Sequence, residues 1–152
     1  MRTSRLAAGD RALAKRLFAL MVDVFGEPAV ELSDAYLDRL LGRGDFWAIA
    51  AFAGDAGDEL IGGLTAHTLP MTRTESSEVF IYDLAVRRDH QRRGVGRQLV
   101  ATLRSAAAEI GIQDVFVPAD DEDVHALDFY RAIGGTPAAV TIFTFVGAAE
   151  SS

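Results

Sequence analysis

The stretch YDLAVRRDHQRRGVGRQL, Tyr82 to Leu99, leaves an apolar strand, crosses a loop dense in arginine and enters a helix through two spaced glycines. A further apolar stretch, QDVFVP (113–118), follows that helix. Two strands of one sheet joined by a crossover helix run parallel, and the crossover is right-handed. The strands before it obey another rule. FWAIAAFA (46–53), the turn GDAGDE and LIGGLTAHTL (60–69) form a hairpin by their turn chemistry. The polar loop 70–77 then leads the chain into EVFIYDLAV (78–86). The sheet is therefore mixed and largely antiparallel.

The other elements follow from period and punctuation. RTSRLA is a short first strand. Asp10 caps a helix through about Phe25, with Leu13, Leu17, Leu20, Met21 and Val24 as its apolar stripe. Gly26 and Pro28 end it. Ser33 caps a second helix with Leu37, Leu40 and Leu41 inward. The helix from about Gly94 to Ile110 turns Val95, Leu99, Leu103, Ala107 and Ile110 inward. A fourth helix runs from about Val124 to Ile133, and VTIFTFV marks a last strand over 138–146. The expected architecture is α/β (α+β), a mixed sheet flanked by about four helices in the order β-α-α-β-β-β-α-β-α-β. At 152 residues the chain reads as one domain, 1–152.

Charge and composition narrow the function. Net charge is −7, and phosphate-backbone binding needs a basic face, so a nucleic-acid partner is not expected. There is no cysteine, which excludes disulfides, a thiolate metal site and a cysteine nucleophile. Three scattered histidines do not make a metal site. Ala132 to Ala149 carries no charge, but Gly134, Gly135, Pro137, Thr141 and Thr144 break it, so no membrane span is expected. Residues 1–30 hold Arg2, Arg5, Asp10, Arg11, Lys15 and Arg16 with no signal-peptide core, and a cytoplasmic location is expected.

Against this acidic background, Arg87, Arg88, Arg92, Arg93 and Arg97 gather at one turn. Gln91, Arg92, Arg93, Gly94, Val95 and Gly96 lie between strand and helix. Helix-start amides lack internal partners, the dipole there favours an anion, and glycines allow close backbone approach. The turn lacks the Lys-Ser/Thr ending of a triphosphate loop and the third glycine of a dinucleotide site. It reads either as a diphosphate cradle or as a solvated basic helix start. Asp120, Asp121, Glu122 and Asp123 form an opposite cluster before the fourth helix. Asp123 is a natural cap, but four adjacent carboxylates repel unless solvated or facing a cation.

The span 46–146 resembles the GNAT superfamily of N-acetyltransferases. The resemblance is carried by the strand YDLAV, by a Q/R-x-x-G-x-G/A turn written QRRGVG, and by the helix ALDFYRAIGG. It implies a GNAT fold, with acetyl-CoA as co-substrate and its pyrophosphate on the amides of the turn, Gln91 through Arg97. Leu84, Ala85 and Val86 would pair with the pantetheine arm, and Tyr130 would protonate the leaving thiolate. Within the superfamily, FWAIAAF, TAHTLP, EVFIYDLAVRRDHQRRGVG and VPADDEDVHALDFY look like the type I aminoglycoside 3-N-acetyltransferases. That resemblance implies transfer of an acetyl group to the 3-amino group of an aminoglycoside, hence antibiotic resistance. Asp83, Asp120 and Asp123 fall at positions that recur in the group. His125 stands where proline is expected and His67 where an aromatic is expected; both are placed beside the amine pocket with Asp121 and Glu122.

The chemistry agrees independently. An acceptor amine, with pKa about 10, must be drawn in as a cation and then lose a proton. Asp83 interrupts an apolar strand and is the candidate carboxylate for that step. Tyr130, with Ala126 and Ile133, lies on the inward face of its helix and is the candidate acid; His125 is an alternative base. Other readings stay open: acetylation of another cationic amine, such as a polyamine or peptide, or an acyl-CoA-binding regulatory module without turnover. The last strand and the tail TFVGAA leave room for a homodimer.

Overall fold

The computed structural model describes residues 1–147. Its contacts divide the chain into two compact units, Met1–Pro118 and a second that begins at Ala119.

In the first unit, β1 (Arg2–Arg5), β2 (Phe46–Ala53), β3 (Glu59–Pro70), β4 (Ser77–Val86) and β5 (Asp114–Phe116) form one sheet in sequence order. The first three pairings are antiparallel and β4 pairs β5 in parallel, as a hairpin meander followed by a crossover requires. Alternation sorts β2 onto two faces. Phe46, Ala48, Ala50 and Phe52 pack with Leu17 and Met21 of α1 (Arg11–Phe25) and Leu37 and Leu41 of α2 (Asp34–Leu41). Trp47, Ile49 and Ala51 point the other way and are also buried, on the side covered by α3 (Val95–Glu109). A β2 buried on both faces reads as a continuous apolar run, as FWAIAAFA does.

Gly63 shows how close α1 comes. A Cβ there would run into the Leu17 methyl and lie 2.9 Å from the Ile49 carbonyl. Three ion pairs hold α2 beside α1: Arg11 reaches Asp38 at 2.6 Å and Asp34 at 3.2 Å, and Lys15 reaches Asp34 at 2.6 Å.

Several local expectations change. Asp10 precedes α1 but does not cap it; its carboxylate accepts from the Ala7 amide at 2.8 Å, closing the preceding turn instead. Ser33 does cap α2, accepting from the Tyr36 amide at 3.1 Å. Ile110 stands past the last full turn of α3 and is 64% exposed, while Ile112 turns inward after Gly111.

The second unit holds α4 (Val124–Ala132), capped by Asp123, whose carboxylate accepts from the Ala126 amide at 3.1 Å. The helix ends on Gly134 in the left-handed region, with the Gly135 amide donating to the Tyr130 carbonyl at 2.8 Å. No strand forms over 138–146, which corrects the expected last element. Val140, Ile142, Phe143, Phe145 and Val146 are 71–95% exposed. Strand propensity needs a neighbouring ladder to become a strand, and no strand pairs with this segment among the described residues. Ala148 and Ala149 of the tail lie outside the described residues.

Candidate active site

β4 is ten residues long, and β5 matches only three of them, pairing Glu78, Val79 and Phe80 with Asp114, Val115 and Phe116. Beyond Phe80 no strand lies along the outer edge of β4 among the described residues. Leu84, Ala85 and Val86 stand on this stretch, each opposite a β3 residue on the inner side. Within the first unit, no strand pairs with them on the outer side.

A bulge lies within the same stretch. Thr65 pairs with Asp83 and Ala66 with Ile81, so Tyr82 is an extra residue in β4. The bulge shifts the strand's phase. Phe80 lies across from His67, and Asp83 and Ala85 lie across from Thr65 and Gly63, all on the α1 face. Tyr82 joins them, its ring 5.9 Å from His67 and 5.8 Å from Phe80. Asp83 is half-buried, and no hydrogen bond or ion pair reaches its carboxylate among the described residues. Burial pushes its pKa above the ordinary carboxyl value, and the neighbouring charge of Glu27 pushes the same way. Glu27 follows Gly26, whose left-handed φ of 69° closes α1; its amide donates to Val22 at 3.1 Å. α1 packs on β4, which brings its C-terminal end toward Asp83.

The turn after β4 is strained and open. Arg92 has a φ of 62°, rare for a side chain other than glycine, and Gly94 follows at 81°. Left-handed residues interleaved with right-handed ones turn successive amides into an anion-binding hollow. The amides of Arg93, Gly94, Val95 and Gly96 meet no acceptor among the described residues. A Cβ at Gly94 would face open space, so the approach to these amides is clear. Gln91 points its amide back to the Val86 carbonyl at 2.9 Å, stapling the turn to the end of β4. The arginines divide. Arg87 is held by Glu59 and Asp89, each at 3.1 Å, whereas Arg92 and Arg93 are exposed and enter no ion pair among the described residues. These donors fit a diphosphate carried on a flexible arm.

In the second unit, the carboxylates of Asp120, Asp121, Glu122 and Asp123 are all exposed. Asp120 accepts from the Glu122 amide at 2.9 Å, so both it and Asp123 shape the loop while keeping an oxygen toward solvent. His125 is exposed on the first turn of α4. Tyr130 is half-buried against Phe129, with ring centroids 5.0 Å apart. Burial and then Asp123 push its hydroxyl above the ordinary value of 10.0, so it holds its proton at neutral pH.

Among the described residues there is no group of His, Cys, Asp or Glu able to hold a metal ion, and no helix long and apolar enough to cross a membrane.

The Acetyltransferase (GNAT) family model matches residues 14–134. The chain belongs to the GNAT acetyltransferase family. Two solved proteins are similar over nearly all of it. One is the aminoglycoside acetyltransferase meta-AAC0020 from an uncultured soil metagenomic sample, solved with trehalose and with sisomicin. It is 31% identical, covering 96% of this chain and 95% of that one, with a TM-score of 0.88. The other, aminoglycoside acetyltransferase HMB0005, also from a soil metagenome, is 32% identical over 96% of this chain and 98% of that one, with a TM-score of 0.86. YvbK, an uncharacterized N-acetyltransferase of Bacillus subtilis, is 28% identical over 111 residues, which is 73% of this chain and 63% of YvbK.

Glu27 and Tyr82 are the residues beside Asp83 that the sequence reading missed. Glu27 looks like an ordinary loop acid before Pro28. Tyr82 looks like one more member of an apolar strand, because nothing in VFIYDLAV marks where the bulge falls.

Proposed function

We propose that this GNAT acetyltransferase moves an acetyl group from acetyl-CoA to an amine of an aminoglycoside, the 3-amino group in particular, and so confers resistance. The observation that carries this reading is the likeness, over 96% of the chain, to two structures described as aminoglycoside acetyltransferases. Acetyl-CoA supplies the activated acetyl thioester. The amides of Arg93 to Gly96 are assigned its diphosphate, with Arg92 and Arg93 as added charge, and the outer β4 edge at Leu84 to Val86 its extended arm. Asp83 is assigned the acceptor amine: it attracts the ammonium form and takes the proton, and a carboxyl raised above its usual pKa is the better base for that purpose. Tyr130, protonated at neutral pH, is assigned as donor to the departing thiolate. Asp120 to Asp123, His125 and His67 are assigned to acceptor binding. Such a reaction belongs in the cytoplasm, where acetyl-CoA is made.

The test is acetyl-CoA turnover against a panel of aminoglycosides, polyamines and peptides, with the acetylated nitrogen located by NMR. Acetylation at the 3-amino group is expected. Turnover of polyamines or peptides alone would replace the substrate class, and a different nitrogen would replace the regiochemistry.

The exposed apolar run at 138–146 favours a second copy of the chain as a partner. Light scattering should then give twice the 16.3 kDa chain mass. A monomer at micromolar concentration would refute this.

A further inference from the structure

On the face of the sheet that carries Asp83, aromatic rings from four successive strands touch in one line. Phe46 lies directly across from His67, His67 from Phe80, and Phe80 from Phe116. Tyr82, the extra residue of the bulge, brings its ring into the same line. Centroids are 5.3 Å apart for Phe46–His67, 5.9 Å for His67–Tyr82, 5.8 Å for Tyr82–Phe80 and 5.1 Å for Phe80–Phe116, and neighbouring ring planes are turned 50–83° from one another, so the line is a stepped wall of faces and edges. The line begins buried at Phe46, 7% exposed, and emerges at Tyr82, 65% exposed, and Phe116, 39% exposed. Carboxylates edge it: Glu78 lies one pleat from Phe80, Asp83 adjoins Tyr82, and Glu27 acts on Asp83 from the turn that follows α1.

We propose that this line is a platform for one six-membered ring of a polyamino carbohydrate or aminocyclitol, whose ammonium groups reach the carboxylates at its edge. The proposal rests on the aminoglycoside reading and adds to it the residues that recognise the ring. In such a ring, substituents held equatorially put the amines around the rim, and both faces carry only axial C–H bonds. Those hydrogens are weakly positive and suit the negative face of an aromatic ring, which the exposed Tyr82 and Phe116 supply one ring at a time. The rim amines gain both the carboxylates and the ring quadrupoles. A linear polyamine has the charge but no face, so it gains only the first contact. The bulge makes the arrangement: without the extra residue, β4 would lack the Tyr82 ring that joins Phe80 to His67.

The experiment measures binding by calorimetry, with neamine as the ring-bearing probe and spermine as a linear polyamine with the same number of amines. The proteins are wild type, Tyr82→Ala, Tyr82→Phe and Phe116→Ala. Neamine should bind about tenfold more weakly to Tyr82→Ala and more weakly to Phe116→Ala, and within about twofold of wild type to Tyr82→Phe. Spermine should change less than about twofold throughout. Exposure of both sites keeps the fold, checked by circular dichroism, and Phe116→Ala carries the test if Tyr82→Ala does not fold. Neamine affinity unchanged in the alanine variants, or spermine weakened as much as neamine, would overturn the platform, as would wild type that binds no neamine. If neamine is acetylated while the variants bind normally, the platform falls and the proposed function stands. If the binding pattern holds without acetylation, the platform stands and the proposed function falls.

Discussion

Asp83 is a half-buried carboxylate with no hydrogen-bond or ion-pair partner among the described residues, which costs stability and leaves it ready to act. Because burial and Glu27 raise its pKa above 3.8, the native state holds this proton more tightly than the unfolded chain does. The stability this adds is present below the ordinary carboxyl value and is lost as pH rises through the raised one. Asp83→Asn should therefore increase Tm at pH about 7 and leave it unchanged near pH about 3, where both forms are neutral. The same variant should lose roughly two to four orders of magnitude in turnover, with partial recovery at high pH as more amine becomes neutral. A pH–rate profile beside a thermal melt checks both; near-normal turnover at neutral pH would place the base elsewhere. Tyr130→Phe should lose less, since a thiolate of pKa about 8.5 leaves without much help, and high pH should not rescue it.

At the scale of elements, two glycines carry distinct tests. Gly94 needs its left-handed φ of 81° for the turn into α3, and a β-branched residue there is strained even with open space around it. Gly94→Val should raise KM for acetyl-CoA at least several-fold while far-UV circular dichroism stays native; an unchanged KM would remove the turn from cofactor binding. Gly63→Ala should instead act on stability, costing about 1–3 kcal/mol by denaturant titration, because its methyl meets Leu17 and the Ile49 carbonyl. The hairpin, the parallel crossover and the α1 stripe were legible because glycine turns and helical period are local. The bulge was not, since an almost continuous apolar run hides a change of phase. The strand expected at 138–146 failed for the opposite reason: its composition is local, but its ladder partner is not. Asp123 as a cap was legible, while Asp10 caps a different turn because its carboxylate finds the Ala7 amide first.

For the whole molecule, a net charge of −7 coexists with a basic turn, so acceptor and co-substrate should respond differently to salt. KM for a polycationic acceptor should rise with ionic strength. Asp120→Asn with Asp123→Asn should flatten that dependence and leave KM for acetyl-CoA unchanged. The pair is a clean probe, because asparagine keeps the oxygen that each aspartate offers to the Glu122 and Ala126 amides. Initial rates across a salt series measure it; an unaltered slope would make the acidic loop a solvated cap and nothing more.

The amides at the start of α3 also bear on how the protein would look to deuterium. A helix anchored by Leu99 and Leu103, both fully buried, should exchange slowly along its middle. The N–H groups of Arg93 to Gly96, lacking any acceptor among the described residues, should exchange at nearly the rate of an unstructured peptide. Such an abrupt step between neighbouring amides of one helix is a clock set by the missing acceptors. An anion seated on the turn should slow the fast group by orders of magnitude and leave the slow group alone, a signature readable with no catalysis at all.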